Sequence, residues 1–167
     1  MPPAPRKLGC PARLLAATIR SRLVGAVSAG MNAAMPTERM NFISDRFVED
    51  AQRPAFERWV RQTLRPVLAH VGWEPPAQES PERESMRSAV LYTLGYAGRD
   101  PEVLAEARRR AERHLADRTP LHPSLSSTIL SLASIDGPSS LFETYISSMT
   151  DGGSRADQIG FRQSLAH

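Results

Sequence analysis

The sequence holds a single cysteine, Cys10, a single lysine, Lys7, and aromatic side chains at only 6% of its 167 residues. Each scarcity excludes something. One cysteine makes neither an intrachain disulfide nor a Cys-rich metal cluster. A lone thiol suits a reducing compartment, and the cytoplasm is the expected location. No apolar run approaches the roughly 18 residues that a membrane-spanning helix needs, so no span is expected. Arginine supplies 20 of the 21 basic side chains; that reads as codon usage rather than as a recognition device. With few rings available, the core must come mostly from Leu, Val, Ile and Ala.

Reactive motifs are missing as well. The four histidines, His70, His114, His122 and His167, form no H-E-x-x-H. No two of them are spaced (i, i+4), the spacing that turns two imidazoles toward one metal. The chain has no Gly-rich phosphate loop and no G-x-S-x-G elbow. The serines from Ser124 to Ser134 have no base placed beside them by sequence. Cys10 sits in a proline-bearing leader, an unsuitable setting for a nucleophile. The reading is therefore: catalytic residues none, metal ligands none, substrate-binding residues unassigned, and no cofactor in this chain. The histidines are read as surface or capping groups at helix ends.

The formal charge of +3 is unevenly spread. Residues 1–37 carry Arg6, Lys7, Arg13, Arg20 and Arg22 and no acid, which leaves 16 basic and 18 acidic residues beyond them, a formal charge of −2. A basic nucleic-acid footprint is thus absent from the part expected to fold. Two regions are expected: a basic, poorly ordered leader over 1–37 and a helical domain over 38–167. Within the leader, Leu14 to Val27 has the spacing of a basic amphipathic helix. A targeting peptide is one reading of it, and Arg20 and Arg22 argue against a secretory core.

What the chain does have is helical periodicity. From Pro54 to Val71 the apolar residues Phe56, Trp59, Val60, Leu64, Val67, Leu68 and Val71 step by three or four, which lines one helix face. This is the strongest stripe, and the rest is expected to be organised around it. Pro66 falls inside it, where proline removes a hydrogen bond and crowds the previous turn. A kinked helix, or a break into two, is predicted there. Upstream, Met40, Phe42, Ile43, Phe47 and Val48 predict a short helix. Downstream, Ser80-Pro81-Glu82 and Asp100-Pro101-Glu102 are helix starts, each with a capping side chain, a first-turn proline and an acid near the positive end of the dipole. Glu102 and Glu106 are placed to pair with Arg109, Arg110 and Arg113 on a solvated face. Pro123 opens a further helix, Ser139 or Ser140 caps another, and Ile159, Phe161 and Leu165 mark a last partial one. Helical hairpins open near Ser80 and again near Leu121, about 40 residues apart, the period of HEAT-type arrays. The fold class expected is all-α, HEAT-like antiparallel helix hairpins stacked into a partial superhelix.

A family resemblance rests on an ordered set of segments: Phe56-Glu57-Arg58-Trp59-Val60, Leu64-Arg65-Pro66-Val67-Leu68, Gly72-Trp73-Glu74-Pro75, Arg87-Ser88-Ala89-Val90-Leu91, Leu94-Gly95, Asp100-Pro101-Glu102-Val103 and Glu106-Ala107-Arg108-Arg109-Arg110. Together they resemble the C-terminal helical domain of gluzincin-type zinc aminopeptidases, the type found in endoplasmic-reticulum and puromycin-sensitive aminopeptidases. That resemblance implies a HEAT-like superhelix that closes over a catalytic domain and encloses peptide substrate. The family's zinc motif and its G-x-M-E-N motif lie in other domains, and neither occurs in this sequence. The expected partners are therefore a peptide or an aminopeptidase catalytic domain, with zinc implied only for that catalytic domain. Self-association is expected if an apolar face is left uncovered. The alternative is a stand-alone helical scaffold for protein–protein interaction, without a peptidase connection.

Overall fold

The computed structural model describes residues 34–117, 119–135, 137 and 143–147. The leader stretch Leu14–Val27, the serine caps at Ser139 and Ser140 and the expected helix around Phe161 lie outside these residues. Five helices follow one another: α1 (Ala34–Phe47), α2 (Arg53–Val71), α3 (Pro81–Tyr96), α4 (Pro101–Asp117) and α5 (Pro123–Ser134). A further helical turn spans 143–147. Among the described residues there is no strand, so the all-α reading stands.

The helix boundaries follow local chemistry. Ser80 caps α3, its hydroxyl accepting from the Arg83 N–H at 3.4 Å, and Pro81 occupies the first turn. Asp100 caps α4, its Oδ1 accepting from the N–H groups of Glu102 at 3.1 Å and Val103 at 3.4 Å. His122 caps α5 through its ring nitrogen, which accepts from the Ser124 N–H. Gly72 ends α2 at φ +70°, a conformation that L side chains avoid. Pro66 does not break α2, which runs on from Arg53 to Val71.

α1, α3 and α5 are neighbours in one layer, with α3 between the other two; α2 packs against α3, and α4 chiefly against α5. The centre is thus α3 rather than α2. The α2 stripe is amphipathic because only one side of that helix is covered. α3 is touched by all four other helices, so its sequence shows a weaker period while it buries Met86, Val90, Leu91 and Leu94. One continuous core joins these to Val60, Leu64 and Val67 of α2, Val103, Ala107 and Ala111 of α4, and Leu125, Ile129, Leu130 and Leu132 of α5. Tyr145 closes the far side, its hydroxyl donating to the Leu130 carbonyl at 3.2 Å; burial raises its pKa.

Three expectations need correction. Phe56, Trp59 and Leu68 are only partly buried, packed on the rim of the core, and Thr63 takes an inner place. Thr63 fits there because its hydroxyl donates to the Trp59 carbonyl at 2.8 Å. On α1 only Met40 of the main apolar set faces inward; Phe42, Ile43 and Phe47 are exposed. Finally, Arg109 and Arg110 pair with Glu106 rather than with Glu102, Arg110 also meets Glu74 at 2.7 Å, and Glu102 pairs across to Arg65 at 3.1 Å. Burial pushes the Glu106 pKa up, but the two guanidiniums outweigh it and hold the carboxyl below its usual value.

Candidate functional site

The sequence offered no catalytic set, and among the described residues no group of three or more His, Cys, Asp or Glu converges as a metal site. The described histidines stay apart. His70 is exposed near the end of α2. His114 Nδ1 lies 2.8 Å from the Thr119 carbonyl and His122 Nδ1 lies 2.8 Å from Ser124 Oγ, both at helix ends as expected. His167 lies outside the described residues.

The concave feature that the helices do build is a groove of about 570 Å³ beside α3, in the layer it shares with α1 and α5. Its wall mixes polar and apolar surface: Thr37, Glu38 and Asn41 from α1, Pro81, Glu84, Ser85, Ser88, Ala89, Tyr92 and Thr93 from α3, and Ser124 and Thr128 from α5 line it. Thr37, Thr93 and Thr128 are buried residues, held under the groove where the three helices meet. Ser88 and Thr128 share a hydrogen bond of 2.6 Å across α3 and α5. Asn41 Nδ2 donates to Thr93 Oγ1 at 3.2 Å, tying α1 to α3. The Asn41 carbonyl oxygen is buried and has no hydrogen-bond partner. A buried acceptor without a donor carries a desolvation cost of about 1–3 kcal/mol, which an incoming N–H would relieve. The serine-rich stretch noted from Ser124 to Ser134 supplies only the α5 edge of this groove. The groove itself was not legible, because Ser and Thr at helical spacing acquire a shared face only once three helices are set side by side.

A second hollow, of about 620 Å³, is lined by Arg58, Arg61, Arg65 and Arg99 at the α2 side. Arg61 and Arg65 are already engaged. Arg65 donates bidentately to Asp100, at 2.6 and 2.9 Å, and this hydrogen-bonded carboxylate raises the arginine's pKa further. Arg61 donates to the Gly98 carbonyl and faces Glu57 at 3.8 Å. These arginines fasten α2 to the α3–α4 turn rather than forming a cradle for an anion.

Residues 34–167 match the sequence family described as the ERAP1-like C-terminal domain. The chain belongs to that family. The ERAP1-like domain here is also similar to Aminopeptidase 2 of Candida albicans, with 26% identity over 98 residues. The match covers 58% of this chain and only 10% of that protein. Membership accounts for the ordered segments noted in the sequence, and several of them now have a structural role. Arg65, Asp100 and Glu102 form one ion-paired link. Arg87 and Trp73 belong to the α2–α3 junction, where Trp73 also receives the Arg110 guanidinium 4.8 Å from its ring centroid.

That junction holds a buried ion pair. Arg87 has no exposed surface. It donates to both oxygens of Glu79, to the Val71 carbonyl at 2.8 Å and to the Gly72 carbonyl at 3.0 Å. Arg83 approaches Glu79 at 3.1 Å. The hydrogen bonds from Arg87 outweigh the burial of Glu79 and lower its pKa. The Pro75–Pro81 linker is thereby pinned beneath the end of α2. No helix among the described residues is long and apolar enough to cross a membrane.

Proposed function

We propose that this chain is a non-catalytic wall of an aminopeptidase-type assembly. In this reading the α1–α3–α5 layer faces a peptide or the catalytic domain. The observation that carries it is the hydroxyl-lined groove with the buried, unpartnered Asn41 carbonyl at its side. An extended peptide presents N–H and C=O groups all along its length, and such a wall of small donors and acceptors reads backbone rather than side chains. The absence of H-E-x-x-H and G-x-M-E-N from the sequence supports a role in holding substrate, not cleaving it. The HEAT-like stacking of the helices as a curved shell is part of the same proposal.

The test uses the full chain. Fluorescence anisotropy with labelled unstructured peptides, and separately with a zinc aminopeptidase catalytic fragment, should give saturable binding to at least one of them. Ser85 is exposed on the groove wall, and Ser85→Trp should fill the groove without touching the core and abolish that binding. Aminoacyl fluorogenic substrates should show no turnover with or without zinc. Binding unaffected by Ser85→Trp, or chelator-sensitive turnover, refutes the reading.

A further inference from the structure

The outer face of α1 is a second surface, independent of the groove. Residues 39, 42, 43, 46 and 47 fall at i, i+3, i+4, i+7 and i+8, a single stripe along a helix. Here that stripe reads Arg, Phe, Ile, Arg, Phe. The inner face, Thr37, Met40 and Ser44, is buried. The outer one is bare: Phe42 is 58% exposed, Ile43 40% and Phe47 67%. The two phenylalanine rings meet edge to face at 5.8 Å, so they form one preset knob rather than two separate side chains. Neither Arg39 nor Arg46 makes an ion pair among the described residues. The carboxylates of α1 lie elsewhere. Glu38 borders the groove, and Asp45 accepts from the Tyr96 hydroxyl at 3.0 Å. The stripe is therefore apolar and aromatic at its centre and positive along its length.

We propose that this face docks an acidic amphipathic helix, with apolar residues over Phe42, Ile43 and Phe47 and carboxylates against Arg39 and Arg46. Phe and Arg are both enriched at protein interfaces, and Arg receives carboxylates bidentately. Charge decides between occupants. The leader, residues 1–37, carries five bases and no acid, so it would set like charges against Arg39 and Arg46. Area decides against a second copy. Aromatic side chains offer roughly 150–250 Å² each, so the exposed parts of the three residues amount to about 300 Å². A stable dimer needs about 800 Å² from each partner. A single docked helix covers a patch of this size and forms a weaker, transient contact.

The probe is a designed leucine-striped helical peptide carrying glutamates on both flanks, compared by anisotropy on the full chain with the same peptide carrying lysines. The glutamate form should bind at least tenfold more tightly, and the gap should narrow with added salt. Arg39→Glu with Arg46→Glu should reverse the preference. Phe42→Ser with Phe47→Ser should abolish binding of both peptides; all four positions are exposed, and an unchanged circular-dichroism spectrum confirms that the fold survives. Equal binding of the two peptides, no binding, or charge variants without effect would overturn the proposal. So would a concentration-dependent dimer that Phe42→Ser with Phe47→Ser dissolves, because a second copy would then own the face. Binding that appears only after Leu15→Asp with Leu23→Asp would equally overturn it, because the leader would then own it.

Discussion

Arg87 gives the most demanding test of how this fold is held. Its guanidinium serves a carboxylate and two helix-end carbonyls at once, all out of water. Arg87→Met keeps most of the volume and removes the donors. Glu79 then retains only Arg83, while its side chain stays fully buried. Removing one partner of a buried ion pair costs about 3–5 kcal/mol, and the stranded Val71 and Gly72 carbonyls keep the estimate toward the upper half of that range. The assay is urea unfolding of the full chain at pH 7, followed by far-ultraviolet circular dichroism, with the slope checked for constancy. The double variant Arg87→Met, Glu79→Met removes the orphaned charge as well. It should be more stable than Arg87→Met alone by at least about 1 kcal/mol, a coupling that only interacting residues show. A loss below about 1 kcal/mol for Arg87→Met, or a double variant equal to the sum of the two singles, would refute the reasoning.

The same pair sets an acid limb. The Glu79 pKa is lowered in the folded state, so its contribution is fully present above the ordinary glutamate value of about 4.3. It is lost as the pH falls through the depressed folded value; Arg87→Met should flatten that limb in an acid titration of the melting temperature. Gly98→Ala should destabilise, by about 1–3 kcal/mol, because the new methyl would lie 2.6 Å from the Leu94 carbonyl oxygen and 3.1 Å from Val60 Cγ1. Gly95→Ala should cost less in the same melt, since its main clash, at 2.5 Å, is with the tip of the Leu132 side chain. Leu64→Ala, at a residue with no exposed surface, should cost about 2–5 kcal/mol. Trp59→Ala, on the rim, should cost less, about 2 kcal/mol by its partial burial; the reverse order would show that the core is centred elsewhere.

Helix positions were legible because caps and prolines act locally. Ser80, Asp100 and Pro123 each mark a start from within a few residues. The central place of α3 was not, because a helix covered from several sides loses the one-sided pattern that makes α2 conspicuous. Nor could the sequence show that Phe42, Ile43 and Phe47 point outward, since their spacing fits a buried stripe as well as an exposed one. Glu102 was assigned to its own helix by the (i, i+4) rule, and Arg65 won it because α2 passes close to the start of α4. The groove was hidden for the same reason: Asn41, Ser88 and Thr128 are 40 or more residues apart and meet only in the packed layer.

The arginines close the account. Arg53 donates to the Val48 carbonyl, Arg87 to those of Val71 and Gly72, Arg61 to that of Gly98 and Arg108 to that of Ile135. In each case a guanidinium on one helix reaches the C-terminal end of another, where the backbone dipole is negative. Such a joint fixes how far one rod can slide along its neighbour, which greasy contacts alone leave loosely determined. An ammonium has neither the span nor the fork to hold both edges of such a joint. The scarcity of lysine, whatever its genetic origin, leaves the molecule with the side chain that keys its helices end to flank.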